Sequence, residues 1–192
     1  MGHSQADKAQ SRNRILKEAA AQIRQSGLES ISLATLMKKA NLTHGGFYGH
    51  FDSRSNLLAA ALERALIEGE AAARAHAAPD RPRSFATMVR SYLSRTHRDN
   101  RHAGCAIASL AVDVARADEE TRGVMAPHIE KAIAKIRDAL GDRTEDRAIV
   151  AMSAMVGAMA LSRVMTDPKR SDALLRAARD YLAGLAEHGV AS

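Results

Sequence analysis

The sequence predicts an all-α protein of about nine helices. Three observations carry this. Apolar residues recur at spacings of three and four along nearly the whole chain, no stretch alternates with period two, and the breaks between periodic segments are short. Alanine is abundant, and no internal repeat is present.

The elements follow in order. The first helix runs from about Asp7 to Gln25, with an apolar stripe of Ile15, Leu16, Ala19, Ala20 and Ile23 and a stop at Gly27. Leu28 and Ile31 lead into a short second helix that Ser32 can cap and that Leu33, Leu36 and Met37 make amphipathic. Asn41 and Leu42 form a tight connection, and Thr43 is a natural N-cap for a third short helix. A longer helix from about Arg54 to Ala75 carries Leu57, Leu58, Ala61, Leu62 and Ala65 on one face. The stretch HAAPDRPRS (76–84) holds two of the four prolines and reads as the internal linker. Five further helices are expected near Phe85–Arg98, Gly104–Ala117, Glu119–Leu140, Glu145–Thr166 and Lys169–Glu187, with Gly141, Asp142, Asp167 and Pro168 marking the later breaks.

At 46% hydrophobic and 26% charged, the composition is that of an ordinary soluble protein. No apolar run reaches the roughly 18 residues of a membrane span. The polar N-terminus is not a secretory signal, and one cysteine excludes an internal disulfide framework. A cytoplasmic protein without a membrane partner is expected. The net charge is +6, and residues 1–58 supply +4 of it from eight Lys/Arg against four acids. A polyanion is therefore the expected partner of the N-terminal part.

A short helix, a tight turn and a second short helix, packed on a longer first helix, make a helix-turn-helix whose second helix enters the major groove. That second helix lies in THGGFYGHF (43–51), which holds three glycines, two histidines and half of the chain's six aromatic residues. A phosphate P-loop needs a lysine and a preceding strand, and this stretch has neither. His44 and His50 stand about 120° apart on an α-helix, unlike i,i+4 zinc pairs, so neither a metal nor a cofactor is expected. Each helical glycine costs about 0.8–1 kcal/mol relative to alanine. Gly45, Gly46 and Gly49 therefore imply close approach of backbone to a phosphate or base edge. Phe47 can pack with Ile15, Leu36 and Leu42, while His44 and Tyr48, one turn apart, can reach DNA together.

The segment ISLATLMKKANLTHGGFYGHFDSRSNLLAAAL resembles the N-terminal DNA-binding domain of TetR-family transcriptional regulators. The family pattern runs, loosely, small-Gly-Val-Ser-x-Gly-x-hydrophobic-Tyr-x-His-Phe-x-Ser-Lys-x-x-Leu. Ala40 to Arg54 followed by Leu57 matches it, most specifically from Tyr48 to Arg54. The resemblance implies domains at 1–58, with the helix-turn-helix near 32–51, and at 59–192. It implies that Thr43 and His44 read base edges or cap the recognition helix, and that Tyr48 and His50 contact phosphates. It also implies that Arg54, in place of the usual lysine, anchors the DNA backbone, that Ser32 donates to a phosphate, and that Arg12 and Arg14 lie where basic arms touch DNA. Asn41 replaces the usual glycine but tolerates left-handed geometry. Gly46 and Gly49 leave few side chains for base reading, so phosphate contacts and DNA shape are expected to carry much of the recognition.

For the rest of the chain the resemblance implies a homodimer through the last two helices, palindromic operator DNA and a small-molecule effector of unknown identity. Ala151, Ala154, Gly157, Ala158 and Ser162 are small enough for close helix approach, Met155 packs adaptably, and Leu174, Ala178, Tyr181 and Leu182 form the partner stripe. Periodicity alone fits an intramolecular core better, and it is the resemblance that points to the dimer. The candidate pocket lining is Phe85, Met88, Tyr92, Cys105, Ser109, Asp113, Met125, Ile129, Met152 and Val156, suited to an apolar or adaptable ligand. Asp113 also has Arg116 within reach as a helical surface pair. Cys105, in GCAIASLAVDVAR, is similar to a Gly-Cys-x4-Leu segment of some members, including ones that sense electrophiles by cysteine. The preferred reading is a buried small hydrophobe, because free cysteine is among the most buried residue types. No catalytic set is present, so a ligand-responsive repressor is expected rather than an enzyme. The remaining alternatives are a DNA-binding protein without effector, a cysteine-based sensor and a protein-interaction module.

Overall fold

The computed structural model describes residues 5–75, 84–102, 104–141 and 145–187. The linker expected at 76–84 lies, except for Ser84, outside them. The described residues contain nine α-helices and no strand: α1 (Gln5–Ser26), α2 (Leu33–Lys39), α3 (Arg54–Ala75), α4 (Phe85–Tyr92), α5 (Arg95–Asp99), α6 (Ala106–Ala115), α7 (Glu119–Leu140), α8 (Asp146–Val164) and α9 (Pro168–Glu187). Two 3₁₀ segments, Leu28–Ser30 and His44–Gly49, complete the helical structure of the described residues.

Nine helices were expected, but the division differs in two places. The expected Phe85–Arg98 helix is broken at Leu93, because Ser94 caps a new helix by accepting the His97 N–H at 3.1 Å. The expected third short helix is the 3₁₀ segment His44–Gly49. Other ends follow their cap residues. Ser84 accepts from Thr87 N–H at 3.3 Å, Asp118 accepts from Thr121 N–H at 2.8 Å, and Gly141 ends α7 with φ 67°.

The N-terminal head packs α1, α2 and the 43–51 stretch over the start of α3. Ile15, Ile23, Leu36, Phe47, Phe51 and Leu57 are all buried there, and Phe47 and Phe51 stack with ring centroids 5.7 Å apart. Each such side chain contributes about 1.5–3 kcal/mol by leaving water. Residue 58, where the two domains were expected to meet, lies inside α3. The helix carries buried Leu57 in the head and continues through Ala61, Leu62, Ala65 and Leu66 to pack on α6 and α7. Head and remainder are thus joined by unbroken helix. Buried Arg24 on α1 reinforces the joint, donating to Glu68 at 2.9 Å and to the Ala65 carbonyl at 3.4 Å on α3.

The remainder is a helical bundle in which α8 lies between α7 and α9 and also touches α6. Over Asp146–Val164, α8 is long and apolar enough to cross a membrane by length and composition, contrary to the reading of the sequence. It is nevertheless a bundle helix, with Ala148, Ala151, Met152, Met155 and Met159 buried against its neighbours.

Candidate DNA-binding surface

The surface is built at the end of α2. The Ser32 hydroxyl oxygen accepts the Thr35 N–H at 3.5 Å and the Thr35 hydroxyl at 3.3 Å, which leaves its own proton free to donate. The following turn closes through Asn41 at φ 58°, with Leu42 N–H donating to the Met37 carbonyl at 2.9 Å. Asparagine fills the left-handed position here, as its tolerance of that geometry predicts.

Thr43 occupies the N-cap position of the next segment, but its side chain makes no capping bond. The expectation of a hydroxyl cap is corrected: the segment opens through backbone alone, Gly46 N–H donating to the Thr43 carbonyl at 3.0 Å. The segment is 3₁₀ rather than α-helical, as three glycines in six residues give little propensity for a longer hydrogen-bonded run. In this geometry positions three apart eclipse. Position 48 therefore stands over Gly45, and the four-residue pairing of His44 with Tyr48 does not carry over. The side chain of His44 lies outside the described ones.

What the segment presents is small and uncommitted. A Cβ at Gly45 or Gly49 would meet nothing within 4 Å, and at Gly46 it would make ordinary contact with Thr43 Oγ1 at 3.5 Å. Neither packing nor positive φ requires glycine at these positions. Tyr48 is 72% exposed, its ring set edge-on against buried Phe47 at 5.2 Å.

The charges come from several elements. Arg12 on α1 lies over the Phe51 ring at 4.8 Å, so it belongs to a helix and not to a loose arm. Arg14 follows two residues later, about 200° around the axis. It donates to Ser11 Oγ at 3.1 Å and is not brought to the same face. His50 Nδ1 is buried without a hydrogen-bond partner. Its pKa is lowered by burial and then by Lys8 and Arg12, which keeps the ring neutral at neutral pH. Arg54 pairs with Glu29 at 3.2 Å in a solvent-exposed contact. Lys8, four residues before Arg12, was missed in the sequence reading, and that spacing was its signal. Lys38 and Lys39, exposed in the last turn of α2, were missed as well. Among the described residues no cluster of three His, Cys, Asp or Glu could hold a metal.

Residues 15–61 match the bacterial regulatory proteins of the tetR family. The chain is 30% identical over 186 residues to an uncharacterized HTH-type transcriptional regulator of Mycobacterium tuberculosis, covering 89% of this chain and 93% of that one. It is a TetR-family transcriptional regulator. Solved structures share the fold of this TetR-family chain at low identity. A TetR-family regulator from Cytophaga hutchinsonii has a TM-score of 0.74 at 19% identity, with 96% and 98% of the two chains covered. The reduced form of Escherichia coli NemR has a TM-score of 0.73 at 20%, covering 90% and 95%. The multidrug binding protein EbrR complexed with proflavin has 0.62 at 20%, covering 91% and 99%.

In the C-terminal bundle of this TetR-family protein, the candidate pocket residues divide. Phe85, Met125 and Met152 are buried core, with Met88, Ile129 and Val156 packed against it. Tyr92, Cys105 and Ser109 do come together, around two residues the sequence reading did not single out. His97 Nε2 accepts the Cys105 N–H at 3.0 Å while its Nδ1–H donates to the Tyr92 carbonyl at 2.7 Å. Arg163 donates to Ser109 Oγ at 2.9 Å and to the His97 and Arg98 carbonyls at 3.2 Å each. Burial, then the neighbouring Cys105, raises the Tyr92 pKa, and its hydroxyl is buried without a hydrogen-bond partner. Burial also lowers the pKa of His97, so its ring is neutral.

Asp113 does not line this cluster. It lies one turn, about 6 Å, beyond Ser109 along the α6 axis. It accepts a bond from Leu28 N–H at 3.1 Å instead of forming the expected surface pair with Arg116.

The expected dimer residues also need correction. Ala151, Met155, Ser162 and Leu182 are buried within one chain, and the Ser162 carbonyl accepts from Ser171 Oγ at 2.6 Å across the α8–α9 pair. Those positions close the protomer's own core. Ala154, Gly157, Ala158, Leu174 and Ala178 are half-buried at its edge. Tyr181, at 72% exposure, faces outward together with Val150, Leu161 and Val164, which sequence periodicity did not separate from the core stripe.

Proposed function

We propose that this TetR-family regulator is a homodimeric repressor that binds a palindromic operator and releases it on binding a small molecule. The observation that carries the reading is the uncommitted recognition segment. Thr43, Gly45, Tyr48 and Gly49 are exposed beside Lys8, Arg12, Lys38 and Lys39, and the fold makes no use of their outward faces. Backbone can approach phosphate closely at the glycines, Tyr48, His50 and Arg54 supply phosphate donors, and Ser32 adds one from the α2 cap. Gly46, beside Thr43, extends the same path. DNA as partner implies the compartment that holds the chromosome.

The exposed apolar residues of α8 and α9 support the dimer, since a two-fold axis through them would bury Val150, Leu161, Val164 and Tyr181 against their copies. The proflavin complex of EbrR supports a small-molecule effector. The test is a mobility shift on DNA flanking the protein's own coding region. A specific complex of two protomers with steep salt dependence is expected, and its absence would reject the reading.

A second reading concerns Cys105. It stands at the N-cap of α6, half-buried, near the Tyr92 hydroxyl and the Arg163 guanidinium. NemR, solved in its reduced form, supports a thiol switch in place of a bound effector. Peroxide that weakens DNA binding of the wild type but not of Cys105→Ser would favour this reading over the first.

A further inference from the structure

Besides the continuous α3, the head reaches the C-terminal bundle through a backbone amide. α1 ends at Gly27, whose φ of 85° turns the chain, and the next amide, Leu28 N–H, leaves the head and donates to Asp113 Oδ2 on α6 at 3.1 Å. A Cβ at Gly27 would stand 2.5 Å from that same oxygen. Glycine is therefore required twice, by conformation and by the carboxylate seated in the space of its missing side chain. Asp113 is held from the other side, because Leu110 and Val114 on its helix are buried in the core. Leu28 is likewise buried, at 3% exposure, so the donor cannot swing to solvent without opening the head. A second carboxylate repeats the contact nearby: Asp118, just before α7, accepts from Ser55 Oγ at 2.8 Å at the start of α3.

We propose that Asp113 is a positioning residue for operator recognition, fixing the angle at which the head projects from the effector bundle. The proposal rests on the dimeric reading above. A palindromic site fits only when two recognition segments stand at one spacing, whereas binding to arbitrary DNA needs little beyond positive charge. Asp113 thus contributes to the ratio of specific to non-specific affinity and not to non-specific affinity itself. A hydrogen bond to a carboxylate is worth more than one between neutral groups.

The experiment compares wild type with Asp113→Ala, Asp113→Asn and Asp113→Glu. The probes are a duplex selected by the wild type from a random pool and a scrambled duplex of the same composition, and sedimentation reports the stoichiometry. Asp113→Ala should bind the selected duplex about tenfold more weakly, the scale of one lost hydrogen bond to a charged group. Its affinity for the scrambled duplex and its salt slope should be unchanged. Asp113→Asn keeps an acceptor oxygen and should retain most of the ratio. Asp113→Glu keeps the charge, moves it by one methylene and should lower the ratio, which preserves the test if the alanine variant does not fold. A ratio unchanged in Asp113→Glu, or an equal loss on both duplexes, overturns the proposal. A wild type that binds the selected duplex as a single protomer instead rejects the dimeric reading, and the proposal falls with it.

Discussion

Replacing Gly45 or Gly49 by alanine adds a methyl group that meets nothing within 4 Å. Each change should raise stability by about 0.5–1 kcal/mol, because alanine loses less conformational freedom on folding. The same methyl groups should weaken DNA binding if phosphates approach the backbone there. Thermal unfolding and fluorescence anisotropy of the two variants read both effects, and tighter binding would show that the glycines serve no approach. Arg54→Ala should leave stability nearly unchanged, since its ion pair with Glu29 is exposed. Its DNA affinity should fall uniformly across sequences, with a salt slope shallower by about one charge, as a titration with KCl would show. At this scale the sequence was legible wherever a residue acts on its immediate neighbours. Asn41 takes the left-handed turn, and Ser32 and Gly141 act at helix ends. Thr43 was misread because its capping bond presupposes α-helical geometry that the glycines after it do not support.

Helix boundaries were legible to within a few residues, and helix kind was not. The 3₁₀ recognition segment and the break at Leu93 depend on which turn a hydroxyl can reach and on packing partners far off in sequence. Contacts between elements were the least legible. Across α3 and α7, Glu70 accepts from His128 Nδ1 at 2.8 Å and pairs with Lys131 at 2.8 Å, although some 60 residues separate them. Burial alone would raise the Glu70 pKa, but Lys131, His128 and Lys135 together hold it down to about 2. A carboxyl with a depressed folded pKa stabilises above its unfolded pKa and loses that contribution as pH falls through the folded value. Glu70→Gln should therefore be less stable than wild type at neutral pH by about 1–2 kcal/mol, discounted for partial solvent screening. The difference should shrink between about pH 4.5 and 2. Urea unfolding of both proteins across that range is the measurement.

For the whole molecule, the sequence showed that α8 and α9 carry apolar residues but not which of them face outward. Periodicity marks a stripe, and only the packed bundle decides that Ala151 and Leu182 close the core while Leu161 and Tyr181 remain outside. The prediction at this scale follows from that sorting. Leu161→Glu, at a position 55% exposed, should leave the protomer folded with its helical circular dichroism intact. It should convert the proposed dimer into a species of single-chain mass, 20.6 kDa, by light scattering. The same variant should lose operator affinity while retaining weak binding to arbitrary DNA. A Leu161→Glu protein that remains dimeric would place the two-fold axis elsewhere.

The continuity of α3 gives the molecule mechanical gain. Its 22 residues span about 33 Å at 1.5 Å per residue, from beside the recognition segment at Arg54 along the C-terminal bundle. As a rod of that length pivots about one end, a tilt of only about 6° carries the other end through roughly 3.4 Å, one base-pair step. In the proposed dimer, a rearrangement of well under one helical turn among α6 and α7 is therefore enough to put a head out of register with its half-site. A flexible hinge in place of residues 58–66 would absorb the same motion and transmit none of it.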